Sequence, residues 1–229
     1  PYEISYADPF LKREIRFENR FTGEMLIPDD KAEFGIISDI DDTILHTGVA
    51  SFLKWRALFN TFFINAETRI PLTGASEFYH QLHRGNSGQM ANPFFYVSNS
   101  PWNLYRYLEY FLKKNNFPKG PVLLRSMSAT LGRRKTVKPH KAHEIENILK
   151  TYPKLRFVLI GDSGEHDADI YKEINEQYPD RILAIYVRDV GHRKRMRRIK
   201  GLFKDYPTPV MFVEHSDQAA EHARKLGLI

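Results

Sequence analysis

The chain has 229 residues, of which 42% are hydrophobic, so it can form one globular domain with a sizeable core. It has no cysteine, no apolar stretch of membrane-spanning length and no signal-peptide pattern at its start, which excludes a disulfide framework and thiolate chemistry and predicts a soluble, cytoplasmic protein. The net charge is +6, and the run RKRMRRIK at 193–200 holds six basic residues and no acid.

Short, continuous apolar runs recur along the chain. Continuous rather than alternating hydrophobicity predicts strands that are covered on both faces, as in a parallel sheet. The predicted strands are Phe34–Ile37, Phe94–Val97, Val122–Leu124, Phe157–Ile160, Ile182–Val187 and Val210–Val213.

Helical signals lie between these strands. Ser100 is a suitable N-cap with Pro101 at the first helical position, and Leu104, Leu108 and Leu112 follow at helical spacing. Three later helices are predicted at Lys141–Leu149, about Asp169–Tyr178 and Asp217–Leu226. Alternating strands and helices predict an α/β fold, a Rossmann-like open parallel sheet flanked by helices, whose ligands bind at the carboxyl ends of the strands.

The domain organisation is predicted to be simple. Residues 1–32 lack clear periodicity and are expected to be an N-terminal extension packed on a domain formed by residues 33–229. Residues 85–92, GNSGQMAN, are typical of a surface turn.

Acids and hydroxyls follow three of the predicted strands where each strand ends. These residues are Asp39 and Asp41 after the first strand, Ser98, Asn99 and Ser100 after the second, and Asp162 and Asp167 after the fourth. Because the carboxyl ends of parallel strands share one edge of a sheet, we expect the side chains to converge. Clustered carboxylates favour a hard cation such as Mg²⁺, which retains water and substrate phosphate among its ligands. A carboxylate nucleophile, an acid/base, a metal and a lysine suffice for phosphate-ester hydrolysis.

These motifs resemble those of the haloacid dehalogenase superfamily of phosphohydrolases. Residues 39–43, DIDDT, fit its D-x-D-x-T signature, and Ser98, Lys141 and a G-D-x-x-x-x-D stretch at 161–167 follow in the expected order. More narrowly, SDIDDTI, FFYVSNSPWNLY, GPVLLR, HKAHEIENIL and FVLIGDSGEHDADIY resemble the catalytic domain of the actin-patch phosphatidate phosphatases and their bacterial relatives, over roughly residues 33 to 190. The resemblance implies Mg²⁺-dependent conversion of phosphatidate to diacylglycerol through an aspartyl-phosphate.

The resemblance also implies roles for individual residues. Asp39 is expected to be the nucleophile and a metal ligand, and Asp41 the general acid/base, with its backbone carbonyl on the metal. Ser98 and Lys141 are expected to bind the phosphoryl oxygens, and Asp162 to bind Mg²⁺ directly.

Other residues near the motifs have secondary roles or remain alternatives. Asp167 is expected to act on the metal through water or to orient Lys141, and Glu165 is an alternative to it. Thr43 is expected to hold the loop beside the substrate, Asn99 to line the substrate position, and Asp42 to take no part in catalysis. Lys135 and Lys138 are alternatives to Lys141, and three nearby histidines, His140, His143 and His166, match no standard metal-ligand spacing.

Two segments bear on the choice of substrate. Residues 51–63, SFLKWRALFNTFF, are aromatic and basic, which is compatible with a membrane interface or with a further core helix. The run at 193–200 suits an anionic partner, including a membrane surface, or a solvated helix face. The loops after the first and third strands are too short for a large cap domain, so a minimal cap or none is predicted, and an open site suits a bulky or membrane-embedded substrate. We expect a phospholipid or other phosphomonoester substrate and no nucleic-acid partner, with a soluble phosphomonoesterase or a non-catalytic lipid-binding module as alternatives.

Overall fold

The computed structural model describes residues 2–5, 20–40, 43–44, 73–86, 88, 92–125 and 138–229, with the backbone alone for 2–5 and 20–23. The expectations for residues 51–63, and for Asp41, Asp42 and Lys135, fall outside these ranges. The boundary drawn between residues 32 and 33 also stays a prediction.

The strands of the described residues form two sheets. Strands β1 (Tyr2–Ser5) and β2 (Arg20–Gly23) pair antiparallel with each other. The larger sheet has six strands, all parallel, in the order β5-β4-β3-β6-β7-β8. Its members are β3 (Gly35–Ser38), β4 (Phe94–Pro101), β5 (Val122–Arg125), β6 (Phe157–Asp162), β7 (Ile182–Arg188) and β8 (Val210–Val213). The α/β open parallel sheet predicted from the sequence is confirmed.

Helices cover both faces of this sheet. The described helices are α1 (Ala75–Arg84), α2 (Tyr105–Lys114), α3 (His140–Thr151), α4 (Asp167–Gln177), α5 (Arg193–Leu202) and α6 (Ser216–Lys225). Helices α1, α2 and α6 contribute buried residues to the apolar core on one face, and α3, α4 and α5 to the core on the other. Successive strand residues face opposite cores, as Ile36 and Ile37 do. Because both faces of such a strand are buried, a continuous apolar run is needed.

Two local predictions are wrong. Ser100 does not cap a helix, because β4 continues to Pro101 and a short 3₁₀ turn (Trp102–Leu104) precedes α2. Asn92, which the sequence predicts to lie in a surface turn, is fully buried. Its Oδ1 accepts hydrogen bonds from the N–H groups of Glu33 (3.0 Å) and Phe34 (3.3 Å). Its Nδ2 donates to the carbonyl of Leu82 at 2.9 Å, so this side chain joins the end of α1 to the start of β3.

The order of the strands fixes where a site can form. The chain winds from β3 outward through β4 and β5, and then returns to place β6, β7 and β8 on the other side of β3. The reversal lies between β3 and β6, and ligands of open α/β sheets bind at the carboxyl ends of the strands at such a point. Among the helices described, none is long and apolar enough to cross a membrane.

Candidate active site at the carboxyl edge of the sheet

Asp39 is the first residue after β3 and is held against β6. Its backbone N–H donates to the carbonyl of Ile160 at 2.8 Å, and its carbonyl accepts a hydrogen bond from the Ser38 hydroxyl at 2.7 Å. Thr43 donates its hydroxyl to Asp39 Oδ2 at 3.2 Å. The carboxylate is 1% exposed, so it is fixed in a buried position at the switch point of the sheet.

Asp162 is the last residue of β6 and organises the turn that follows. Its Oδ1 accepts hydrogen bonds from the N–H of Glu165 (2.9 Å) and from the N–H of Gly164. A Cβ at position 164 would lie 2.8 Å from this oxygen, so the turn requires glycine there. The other oxygen, Oδ2, is buried and has no hydrogen-bond partner among the residues that the structure describes. A buried carboxylate oxygen of this kind is one that a bound cation would satisfy.

Asp167 begins α4 and faces the same point. Its Oδ2 accepts a hydrogen bond from the N–H of Asp162 at 3.3 Å. The approach of this carboxylate to β6 is close, since a Cβ at Gly161 would lie 2.6 Å from Asp167 Oδ2 and 2.8 Å from Tyr171. Tyr171 donates its hydroxyl to the carbonyl of Ile160 at 2.8 Å. Glycine at 161 therefore lets the Asp167 carboxylate and the Tyr171 ring pack directly on the strand.

Lys141 joins these acids into one cluster. It is the second residue of α3, it is 1% exposed, and it lies on the inward face of the helix with Ile145 and Ile148. Its Nζ is 2.8 Å from Asp39 Oδ1 and 2.7 Å from Asp167 Oδ1. Burial favours the neutral amine, but the surrounding carboxylates outweigh it and hold the pKa of Lys141 well above its usual value. The ammonium is therefore charged.

One ammonium does not balance the negative charge of the cluster. Burial and the neighbouring Asp167 raise the pKa of Asp162 to about 7, and burial raises the pKa of Asp167. One oxygen each from Asp39, Asp162 and Asp167 can be chosen so that all three lie within 4.8 Å of one another. Buried carboxylate oxygens that favour a proton in the absence of a cation fit a divalent hard ion. These three residues could hold a divalent metal ion.

Ser98 and Asn99 lie towards the carboxyl end of β4, the strand next to β3. Ser98 is fully buried, and its Oγ accepts a hydrogen bond from the N–H of Ser100 at 2.9 Å. Asn99 donates from Nδ2 to Glu165 Oε2 at 2.9 Å, and the same oxygen lies 3.0 Å from Lys141 Nζ. Glu165 thus bridges β4 and α3 at the rim of the site.

The structure places some of the alternative residues differently from the residues first assigned. Asp167 belongs to the group of three buried carboxylates, whereas Glu165 is not in that group and its side chain is 33% exposed. Lys138 forms an ion pair with Glu146 on the surface. The positions therefore favour Lys141 over Lys138 and Asp167 over Glu165. The group of potential metal ligands found among the described residues contains none of the nearby histidines.

Arg195 and Arg198 of α5 were not assigned to the site by the sequence. Arg195 donates from Nη1 to the carbonyl of Gly164, in the turn that holds Asp162. Arg198 makes two hydrogen bonds to the Asp169 carboxylate, both at 2.7 Å, in the first turn of α4. The basic run could have suggested contacts with nearby acids, but the structure is needed to show which of its arginines bond to neighbouring elements.

Comparison with known proteins shows which family the sequence matches. Residues 34–189 match the family model described as phosphatidate phosphatase APP1, catalytic domain. The chain is 41% identical over 159 residues to the phosphatidate phosphatase APP1 of Saccharomyces cerevisiae, covering 67% of this chain and 25% of that protein. It is 32% identical over 165 residues to an uncharacterized protein of Schizosaccharomyces pombe, covering 70% of this chain and 26% of the other. The chain thus spans about a quarter of the length of these two relatives, and the resemblance predicted over roughly residues 33 to 190 is confirmed.

Proposed function

Because the chain belongs to the family of phosphatidate phosphatase APP1 catalytic domains, we propose that it is a Mg²⁺-dependent phosphatase that hydrolyses phosphatidate to diacylglycerol and phosphate. The relatives' full-length activities and partners do not transfer automatically, since the chain spans about a quarter of each. The proposal therefore depends on the chain's own site.

The observation that carries it is the buried cluster at the carboxyl edge of the sheet. Three aspartates from two strand ends and one helix start lie together, and two of them, Asp39 and Asp167, pair with a single buried ammonium, Lys141. A purely structural cluster would be costly, because buried charges are stable only when paired and hydrogen-bonded. Asp162 Oδ2 has no such partner in the described part of the chain. The arrangement is understandable if a cation and a phosphate ester complete it.

Asp39 is proposed to be the nucleophile. An oxygen of its carboxylate attacks phosphorus, the bond from phosphorus to the lipid oxygen breaks, and Asp41 gives a proton to that oxygen. In the second step Asp41 takes a proton from water, the water oxygen attacks phosphorus, and the aspartyl-phosphate bond breaks to release phosphate. Thr43, on Asp39 Oδ2, would restrict the rotation of the attacking carboxylate. Asp41 lies outside the described residues, so its role comes from the motif alone.

Asp39, Asp162, the backbone carbonyl of Asp41 and, directly or through water, Asp167 are proposed to hold Mg²⁺. The bound ion would neutralise charge on the transferring phosphoryl group. Lys141, already charged and fixed at 2.8 Å from Asp39, would bind a phosphoryl oxygen on entry.

Ser98 and Asn99 are proposed to complete the substrate position from the β4 side. Ser98 would donate its hydroxyl to the phosphoryl group, since its Oγ already accepts the N–H of Ser100. Asn99 lines the same rim through its contact with Glu165.

The proposed setting is cytoplasmic, with the substrate in a membrane and the enzyme in peripheral contact with it. The contact predicted for residues 51–63 stays a prediction from sequence. We propose no nucleic-acid substrate.

The test is phosphate release from phosphatidate in mixed vesicles, beside a panel of soluble phosphomonoesters, with Mg²⁺ or with EDTA. We expect release that requires Mg²⁺ and prefers phosphatidate. Asp39→Asn should abolish it, and Asp42→Asn should retain it, because this matched substitution three positions on falls where the motif has no catalytic residue.

Each contrary outcome has a separate meaning. A preference for soluble monoesters would replace the substrate but keep the chemistry. Activity retained by Asp39→Asn would refute the nucleophile. Vesicle binding that ignores EDTA, with no turnover of any monoester, would identify a lipid-binding module instead.

A further inference from the structure

An exposed tryptophan lies beside the proposed active site. Trp102 follows the end of β4 by one residue and is 56% exposed, with its ring edge-on to Tyr105 at a centroid distance of 4.8 Å. Tryptophan is usually well buried in globular proteins. Since all six strands of the main sheet are parallel, Trp102 lies on the same edge as Asp39 and Asp162.

A basic surface lies on the other side of the site. Helix α5 begins five residues after the end of β7, and Arg193, Lys194 and Arg197 are exposed on it. None of the ion pairs among the described residues involves these three side chains. They form an outward-facing set distinct from Arg195, which is directed to the carbonyl of Gly164.

The site lies between these two features. In the sheet order, β4 and β7 are separated by β3 and β6, which carry Asp39 and Asp162. At about 4.8 Å per strand spacing, the ends of β4 and β7 are roughly 14 Å apart. An aromatic side chain and three exposed basic side chains therefore lie on the two sides of the carboxylate cluster, at the same edge of the sheet.

We propose that this edge of the domain docks on an anionic phospholipid bilayer, with Trp102 at the interface and Arg193, Lys194 and Arg197 against the headgroups. Tryptophan favours the membrane–water interface, and basic residues near an anionic leaflet strengthen binding. Docking in this orientation presents the site to the bilayer. The inference rests on the proposed function only for the reason why the domain would dock on a bilayer. The docking itself can be measured on a bilayer that contains no substrate, because binding does not require turnover.

A nucleic acid fits the same edge less well. Binding single strands requires several stacking aromatic residues along a basic groove. Trp102 is the one large aromatic side chain exposed at this edge in the described part of the chain, and Tyr110, the other exposed aromatic there, lies in the middle of α2.

The test is co-sedimentation of the full chain with vesicles of phosphatidylcholine and phosphatidylserine, which carry negative charge but no phosphomonoester. The charge variant is Arg193→Glu with Lys194→Glu. Its control is Lys113→Glu with Lys114→Glu, which makes the same change in net charge at the end of α2 on the opposite edge of the sheet. Trp102→Ala is paired with Tyr110→Ala.

We expect the charge variant to bind about 30-fold more weakly or worse, at about fivefold per charge, and its deficit to shrink in high salt. Trp102→Ala should bind several-fold more weakly with a deficit that salt does not change. Both control variants should bind as the parent chain does, and phosphatidylcholine vesicles alone should bind weakly.

Equal losses in the variants and their controls would overturn the proposal, as would parent-chain binding to a short RNA in preference to vesicles. Hydrolysis of a soluble monoester such as para-nitrophenyl phosphate separates this proposal from the previous one. The edge variants should retain that hydrolysis. If the parent chain binds vesicles through this edge but hydrolyses nothing, the docking face stands and the phosphatase proposal fails.

Discussion

Removing the ammonium at the centre of the carboxylate cluster should destabilise the fold strongly, and more so without a divalent ion. In Lys141→Met the side-chain length is retained, but the carboxylates of Asp39, Asp167 and Glu165 lose a cation 2.7–3.0 Å away. At such distances each pair attracts by about 6 kcal/mol in an effective dielectric of about 20, opposed by the cost of desolvation. Breaking a buried pair on one side costs about 3–5 kcal/mol, and we expect that loss in EDTA.

Mg²⁺ should reduce this loss. If the aspartates hold the ion, it supplies the positive charge that the substitution removes, and the variant should recover most of its stability. For a domain of this size about 1 kcal/mol corresponds to about 2–4 °C in Tm, so the expected deficit in EDTA is on the order of 10 °C. Thermal unfolding followed by circular dichroism, in EDTA and in Mg²⁺, gives both values.

Lys138→Met is the matched control. Lys138 also pairs with a carboxylate, Glu146, but its side chain is 46% exposed, and solvent-exposed pairs contribute little to stability. A Lys141→Met deficit in EDTA no larger than that of Lys138→Met would refute the view that the cluster is a charged, buried unit. An equal deficit in EDTA and in Mg²⁺ would refute a divalent ion at these aspartates.

Three further substitutions test parts of the same site. Arg195→Met should weaken Mg²⁺ binding about 10–100-fold in titration calorimetry, because Arg195 donates a hydrogen bond to the turn at Gly164. Arg197→Met, which removes no such bond, should leave the affinity unchanged. Equal affinities of the two variants would exclude a supporting role for Arg195. Gly161→Ala should lower the free energy of unfolding in urea by about 1–3 kcal/mol, since the added Cβ would lie 2.6 Å from Asp167 Oδ2. Gly201→Ala is the control and should stabilise its helix, because its added Cβ would have no described atom within 4 Å. An unchanged stability of Gly161→Ala would contradict the close packing at this position. Asp162→Asn should raise the Tm of the metal-free protein at pH 8 but not at pH 4. Burial and Asp167 raise the pKa of Asp162 in the folded state to about 7, which is above its value in the unfolded chain. Ionisation of Asp162 therefore removes stability as the pH rises between these two values, and asparagine avoids that loss. A gain in Tm that is the same at both pH values would contradict this.

The sheet could be predicted because its strands are buried on both faces. Each predicted strand, from Phe34–Ile37 to Val210–Val213, lies in or overlaps a strand of the structure, since a run such as Ile36-Ile37 serves two cores at once. The predicted start of the helix after the second predicted strand was less reliable. Ser100 and Pro101 have the pattern of a helix start, but the pairing of β4 with β5 extends through Pro101, so tertiary structure overrides the capping preference.

The positions of the site residues could be predicted only in part. Parallel strands bring their carboxyl ends to one edge, so the meeting of Asp39 and Asp162 follows from fold class. Contacts across long sequence separations do not. The bridge through Glu165 joins Asn99 to Lys141, and Asn92 reaches residues 58 and 59 positions away; neither leaves a periodic signal in the sequence.

The contacts of the described residues divide five of the basic side chains at 193–200 into two sets with different roles. Arg195 and Arg198 are three residues apart and so share a side of α5, where they contact the Asp162 turn and the start of α4. Arg193, Lys194 and Arg197 are exposed away from those contacts. Since Arg195 and Arg198 join α5 to the turn after Asp162 and to the start of α4, the charges of Arg193, Lys194 and Arg197 have a fixed position relative to the site. A bilayer bound by the outward set would therefore meet the cleft in one orientation, which a flexible basic tail could not ensure.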